Sequence, residues 1–325
     1  MPRIAVDALG GDRAPEEVVA GAADAAAEGV DVVLVGPAGL DSHGLELVES
    51  TQVLAMDEKP ADAVRAKPDS SLVVANRLVR EGRADAVLSA GNTGAMLAAG
   101  LLEIRRLEGV MRPAIAVVIP TRDGPSVLVD AGANADARPE HLLQFAHMGS
   151  IFAEEVLERP SPTVRLLSIG EEPEKGNQLT LEAHELLAAS ELRFEGNTEA
   201  RTLLAGSADV VVTDGFTGNV ALKLLEGTIA TLLDALRDEI RATTRGKLGG
   251  LLIRPAARGL RTRLDPDTYG GAYLLGLRGL SVIAHGNSSR RAIANAIRLA
   301  ARGVDHDVVG RLAARLPRRP SRTNV

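Results

Sequence analysis

Six short breaks in the apolar pattern carry residues able to hold a small anion: "DALGGD" (7–12), "SAGNTG" (89–94), "DAGAN" (130–134), "GEEPEKGN" (170–177), "DGFTGN" (214–219) and "AHGNSS" (284–289). Glycine lets backbone N–H groups come close to a ligand, and Asn and Thr add uncharged donors. Where such a break opens a helix, the unpaired N–H groups of its first turn add partial positive charge. That combination suits a phosphate or an oxyanion. The candidates are Gly10, Gly11, Gly91, Asn92, Thr93 and Gly94, then Asn134, Lys175, Asn177, Gly218 and Asn219. Asp7, Asp12 and Asp214 would repel an anion, so their expected task is to cap turns or hold the donors in place. His285 has the chemistry of a general base, although a histidine at a strand end also serves as a structural hydrogen-bonder. Every one of these breaks has a plainer reading too. Strand-to-helix turns are rich in Gly, Asn and Asp because those residues tolerate left-handed backbone and cap helices.

Absences narrow the chemistry. No two glycines are separated by one residue, so the dinucleotide fingerprint is missing, as are the Walker G-x-x-x-x-G-K and the nucleophile-elbow G-x-S-x-G patterns. There is no cysteine, hence no disulfide, zinc–thiolate site or thiol nucleophile. No His–His or His–Glu spacing marks a metal site. With no Trp, two Tyr and four Phe, the chain lacks stacking platforms for bases, and its net charge of -6 offers no global field for a polyanion. Nucleic acid is therefore not an expected partner.

The elements that must position these loops alternate along the chain. Strand patterns at 3–9, from Asp31, and in "DAVLSA", "AIAVVI", "SVLVDA", "TVRLLSI", "RFEG", "DVVVTD" and "LSVIAH" are separated by helical patterns. Helices are expected after Pro15, over "SSLVVANRLVREG", "TGAMLAAGLLEIRR" and "EHLLQFAHMGSIFAEEVL", and near Asn177, Thr198, Thr217 and Ser288. Strands this apolar, each followed by a helix, predict a doubly wound α/β fold with a mainly parallel sheet covered on both faces. In such a sheet the carboxyl ends of the strands share one edge, so the six loops are expected to converge.

No repeat or linker divides the chain, and a single domain over 1–316 is expected, with a tail at 317–325 whose Pro and Arg content cannot support a core. The chain enters a strand at Arg3 with no leader-like stretch before it, and no apolar run reaches spanning length, so the expected location is the cytoplasm. One segment stands apart. Residues 241–263 carry seven Arg or Lys and no acid, interleaved with Leu248, Leu251, Leu252, Ile253 and Leu260, within an Arg-rich helical stretch at about 220–265 that is expected to project. Pro255 is expected to split it into two short helices. Basic and apolar residues together suit an anionic surface, with Arg254, Arg258 and Arg261 for a docking partner and Leu251, Leu252 and Ile253 for a membrane, at the inner face of which the protein would sit peripherally.

Read in order, "VDALGGDRAPEEVVAGA", "LSAGNTGAMLAAG", "DAGAN", "LLSIGEEPEKGN", "VVVTDGFTGNVALKLLEG", "YGGAYLLGL" and "HGNSS" resemble the PlsX-type phosphate acyltransferases, from about Ile4 to Gly303. The resemblance implies transfer of a long-chain acyl group from acyl carrier protein to inorganic phosphate, giving acyl phosphate for phospholipid synthesis and a downstream glycerol-phosphate acyltransferase. It implies a homodimer, a Rossmann-like fold akin to the isopropylmalate dehydrogenases, and no metal or redox cofactor. It assigns Asn92 and Thr93, with Gly10 and Gly11, to phosphate or carbonyl binding, Lys175 to charge neutralisation, and Asn219 to orienting carbonyl or phosphate, unless Asn219 caps the helix that follows. Tyr273 departs from the family's usual proline after "YGGA" and bears on the shape of that loop. A phosphate acetyltransferase acting on acetyl-CoA shares the chemistry, and a metal- and NAD-dependent decarboxylating dehydrogenase shares the architecture. A non-enzymatic scaffold is the third alternative.

Overall fold

The strands predicted from their apolar runs pair edge to edge in a computed structural model that describes residues 1–265, 268 and 270–317. The expected disordered tail falls almost wholly outside the described residues. Among these, eleven strands form one sheet: β1 (Arg3–Asp7), β2 (Asp31–Gly36), β3 (Glu46–Glu49), β4 (Ala86–Ser89), β5 (Ala114–Thr121), β6 (Gly124–Val129), β7 (Val164–Ser168), β8 (Phe194–Glu199), β9 (Val210–Val212), β10 (Ala272–Leu275) and β11 (Leu280–Ile283). Their order across the sheet is β3-β2-β1-β4-β11-β10-β5-β6-β9-β7-β8.

Most neighbours are parallel, but β10 runs antiparallel to both β11 and β5, and β5 runs antiparallel to β6. Following the senses outward, β1, β2, β3, β4 and β11 point one way, whereas β6, β7, β8 and β9 point the other. The sheet is two parallel blocks of opposite sense joined by an antiparallel centre. The expectation that all six loops share one edge is corrected accordingly: those after β1, β4 and β11 leave one edge, and those after β6, β7 and β9 leave the opposite edge.

Helices cover both faces, as strands apolar on both sides require. One face buries α1 (Glu16–Ala27), α5 (Pro139–Leu157), α6 (Gln178–Ala188), α9 (Arg290–Asp305) and α10 (Val308–Arg315); the other buries α2 (Pro60–Ala66), α3 (Ser71–Arg80), α4 (Thr93–Ala99) and the first half of α7 (Gly215–Ala242). Alternate residues serve the two cores, with Ile4 and Val6 on the first and Ala5 on the second. The helix expected through "GLLEI" becomes a π-helical turn at Gly100–Ile104, and the one expected near Thr198 is the end of β8 followed by a 3-10 turn at Ala200–Ala205.

In α7 nothing beyond Ile229 is buried, and α8 (Thr244–Leu264), which doubles back along it, buries no residue at all. The hairpin stands off the sheet. Pro255 does not split α8: the ring removes one N–H, but on a helix with no buried residue the carbonyl it leaves free can bond water, so the helix continues.

Tyr273 lies in β10, not in a loop. It is fully buried, packs edge-on against Phe152 at 4.8 Å and donates its hydroxyl to the Leu299 carbonyl of α9. Burial pushes its phenol far above the ordinary range, so it stays a neutral donor. Tyr273→Phe keeps the ring and removes one hydrogen bond, and urea denaturation is expected to show a loss of about 1 kcal/mol.

Candidate active site

At the first edge three loops touch. Asp7, at the end of β1, is buried and accepts from Ser89 Oγ at 2.7 Å and from the Leu9 N–H at 3.3 Å; Ser89 in turn accepts from the Gly91 N–H at 3.0 Å. Burial pushes the Asp7 carboxyl up, against the pull of those donors. A Cβ on Gly10 would sit 2.6 Å from both Asp7 Oδ2 and Ser89 Oγ, so glycine is what lets the β1 and β4 loops meet. The Asp12 N–H donates to the Gly286 carbonyl at 2.7 Å and brings in the β11 loop. Asn92 caps α4, its Oδ1 accepting from the Ala95 N–H at 3.0 Å, while its Nδ2 donates to the Met56 carbonyl at 2.9 Å. Thr93 is exposed at the first position of α4.

At the second edge a buried carboxylate organises the "DAGAN" loop. Asp130 Oδ1 accepts from the backbone of Ile115, Gly132 and Ala133, and Oδ2 accepts from both the N–H and the Nδ2 of Asn134. Burial pushes this carboxyl up, and the donors oppose it. Asn134 also donates to the Pro113 carbonyl at 2.7 Å, so both of its Nδ2 hydrogens are used within the protein. Asp214 caps α7 by accepting from the Thr217 N–H at 2.9 Å. A Cβ on Gly218 would lie 1.9 Å from the Asp130 carbonyl oxygen, so the first turn of α7 is pressed onto this loop. Asn219 is therefore not the cap. It sits in the second turn of α7, exposed, beside Gly132.

From there α7 crosses the face of the sheet toward the first edge and roofs a cleft of about 450 Å³. Leu222, Leu225 and Ile229, spaced three and four apart, make one apolar stripe facing Ile115, Val117 and Ile119 of β5. Gly91, Asn92, Thr93 and Gly94 line the polar part, together with Gly132, Asn219, His285 and Gly286. Two further residues on α7 enter it that the loop motifs did not point to. Lys223 Nζ donates to Glu226 Oε2 at 2.9 Å, and His285 Nε2 lies 3.3 Å from Glu226 Oε1. Burial pushes the Glu226 carboxyl up, but the bonds from His285 and Lys223 outweigh it and hold it below the usual range. Their spacing was the available signal, since Asn219, Lys223 and Glu226 recur at helical intervals along "GNVALKLLEG".

Other expected residues are not gathered here. Gly10, Gly11 and Asp12 stand behind the β4 and β11 loops, Asp214 caps α7, and Gly218 in the first turn of α7 is pressed onto the Asp130 carbonyl. Lys175 and Asn177 follow β7, one strand beyond β9, from which α7 starts, and no residue of their loop lines the cleft. Asn177 caps α6, accepting from the Thr180 N–H at 3.0 Å. The Lys175 backbone is fixed by Glu172 and Ser168, whereas its side chain is exposed and has no ion pair among the described residues. On α8, Arg254, Arg258, Leu251, Leu252 and Ile253 are exposed. Arg261, also exposed, lines with Lys223, Glu226 and His285 a second groove between α7 and α8. Among the described residues no group of three His, Asp or Glu is placed to hold a metal ion, and no helix is long and apolar enough to cross a membrane.

Comparison with known proteins finds relatives by sequence and by fold. Residues 2–311 match the family model described as fatty acid synthesis protein. The chain is 49% identical to the phosphate acyltransferase of Heliobacterium modesticaldum over 97% of this chain and 98% of that one, and 48% identical to that of Desulfitobacterium hafniense over 98% of each. Its fold is similar to a phosphotransacetylase from Streptococcus pyogenes (TM-score 0.63, 17% identity, 94% of each chain). It is also similar to 4-hydroxythreonine-4-phosphate dehydrogenase from Klebsiella pneumoniae (TM-score 0.54, 16% identity, 94% of this chain and 100% of that one).

Proposed function

The chain belongs to the fatty acid synthesis protein family, the PlsX-type phosphate acyltransferases, and on that footing we propose that it moves a long-chain acyl group from acyl carrier protein to inorganic phosphate. The observation that carries this reading is one cleft with two characters, a polar rim of Gly-Asn loops and an apolar slot beneath α7. The rim suits phosphate and the oxyanion that forms on attack. The slot suits an alkyl chain and is idle in transfer of an acetyl group. Phosphate is already a nucleophile and a thiolate leaves readily, so positioning and electrostatics supply most of the catalysis. The acyl phosphate product would be consumed by an acyltransferase acting on glycerol phosphate in phospholipid synthesis. Thioester loss from palmitoyl carrier protein, with acyl phosphate trapped by hydroxylamine, is expected to require phosphate and to exceed that from acetyl-CoA. Loss independent of phosphate, or preference for acetyl-CoA, overturns the reading.

Lys175, in the exposed loop after β7 on the same edge of the sheet as the start of α7, does not line the cleft, and this reading keeps it as the residue that neutralises charge on the incoming phosphate. Lys175→Ala is expected to lower turnover by a factor on the order of 100 with the fold intact. Near-normal activity removes it from the site.

The hairpin serves the enzyme's partners. A second copy of the chain covers part of its exposed apolar surface in a homodimer, Arg254, Arg258 and Arg261 attract the acidic carrier protein, and Leu251, Leu252 and Ile253 rest on the anionic membrane. Arg254→Glu with Arg258→Glu and Arg261→Glu is expected to raise KM for the carrier protein and weaken sedimentation with anionic vesicles. Leu252→Gln with Ile253→Gln should impair vesicle binding alone. Parent-like behaviour of both sets leaves the segment with neither role.

A further inference from the structure

We propose that His285 carries the proton of the transfer reaction and that Glu226 positions it. The inference rests on the proposed acyl transfer to phosphate. Three side chains form a chain across the cleft: Lys223 Nζ to Glu226 Oε2, and Glu226 Oε1 to His285 Nε2. Glu226 is thus an ionised acceptor with one oxygen engaged by each neighbour, and it fixes the imidazole with Nε2 protonated and, among the described residues, Nδ1 without a partner and open to a proton. Asp234 and Arg237 of α7, Arg261 and Asp265 from the α8 side, and Asp12 of the β1 loop complete the charged surroundings of His285.

The reaction needs such a carrier. When hydrogen phosphate attacks the thioester carbon, a C–O bond forms and the carbonyl electrons move to oxygen. The phosphate proton passes to Nδ1; the oxyanion then collapses, the C–S bond breaks with its electron pair on sulfur, and Nδ1 returns that proton to the thiolate. The products are the acyl phosphate dianion and a neutral thiol, and charge is conserved. Phosphate oxygen and sulfur sit on the same tetrahedral carbon, so one ring nitrogen reaches both. Imidazole can take a proton on one ring nitrogen while the other stays hydrogen-bonded, as this relay requires.

The test varies the leaving group. Parent, His285→Asn and Glu226→Gln are assayed for acyl phosphate formation from palmitoyl carrier protein and from an aryl palmitoyl thioester, whose thiolate leaves without a proton. His285→Asn is expected to lose 100- to 1,000-fold on the first donor and under 10-fold on the second. Glu226→Gln keeps the acceptor without the charge and is expected to show the same pattern, more weakly. Equal losses on both donors, or no loss, overturn the proton carrier while leaving the acyl transfer intact. A parent that forms no acyl phosphate from either donor overturns the proposed function itself, and the proton carrier with it.

Discussion

Asn219→Ala is expected to lower phosphate-dependent thioester turnover by a factor on the order of 100 to 1,000 and to leave the unfolding midpoint where it was. The two halves of that expectation have separate physical grounds. Asp214, not Asn219, closes the N-terminus of α7, and Asn219 is exposed, so its removal strips no cap and opens no cavity. What it does remove is a neutral donor held on a rigid helix at the lip of the cleft, beside Gly132. Asn219→Asp sharpens the test, because it preserves size and places a negative charge where phosphate is proposed to bind. It is expected to raise KM for phosphate more than it lowers kcat. If both variants turn over at the parent rate with unchanged phosphate dependence, Asn219 is outside the reaction and the polar rim must be redrawn around the β4 loop alone.

The largest stability effect is expected at Asp130. Its two oxygens answer five N–H groups from Ile115, Gly132, Ala133 and Asn134, several of them shut away from water. Asp130→Ala leaves those donors facing one another with no acceptor, a cost of about 4–5 kcal/mol from a penalty of roughly 1–3 kcal/mol for each buried group left unpaired. Asp130→Asn retains one oxygen but turns an amide toward the donors of the other, so it should fall between Ala and parent. Urea denaturation monitored by circular dichroism reads both. A shift below 1 kcal/mol for Asp130→Ala would mean that the loop repacks or that water takes over the donors. Because Gly132 abuts Asn219, the Asn variant is also expected to weaken phosphate binding before it weakens the fold.

Much of this was legible in the residues, and what was not had a common cause. The α/β class followed from apolar runs alternating with helical stripes, and the loops of the rim from their Gly-Asn content. The sense of each strand is not written in local periodicity. It depends on β10, four residues within "YGGAYLLGL" that read as a loop, pairing with β5 across more than a hundred and fifty positions of sequence. Without that reversal the six loops had to be drawn on one edge, and α7 could not be seen to cross from one edge toward the other. Lys223 and Glu226 escaped notice for the same reason: nothing local in the sequence shows that the helix carrying them lies over a cleft. Asp130 read as the first letter of a turn motif, and only its burial shows that it is the acceptor around which the turn is built.

The place of β10 and β11 in the sheet also governs how the molecule can be made. They fill the middle, between β4 and β5, yet among the described strands they are the last two to leave the ribosome. Until they arrive, the two blocks that flank them are separate sheets, each with a bare apolar edge strand at β4 or β5, the kind of edge that recruits other chains. At synthesis rates of about 5–20 residues per second, the interval between β5 and β10 lasts on the order of ten seconds or more. Closing the gap demands contacts between segments far apart in sequence, which slows folding further. Chains truncated before β10 should therefore collect in aggregates instead of surviving as half-molecules, and the full chain should depend on chaperones during synthesis more than its ordinary length would indicate.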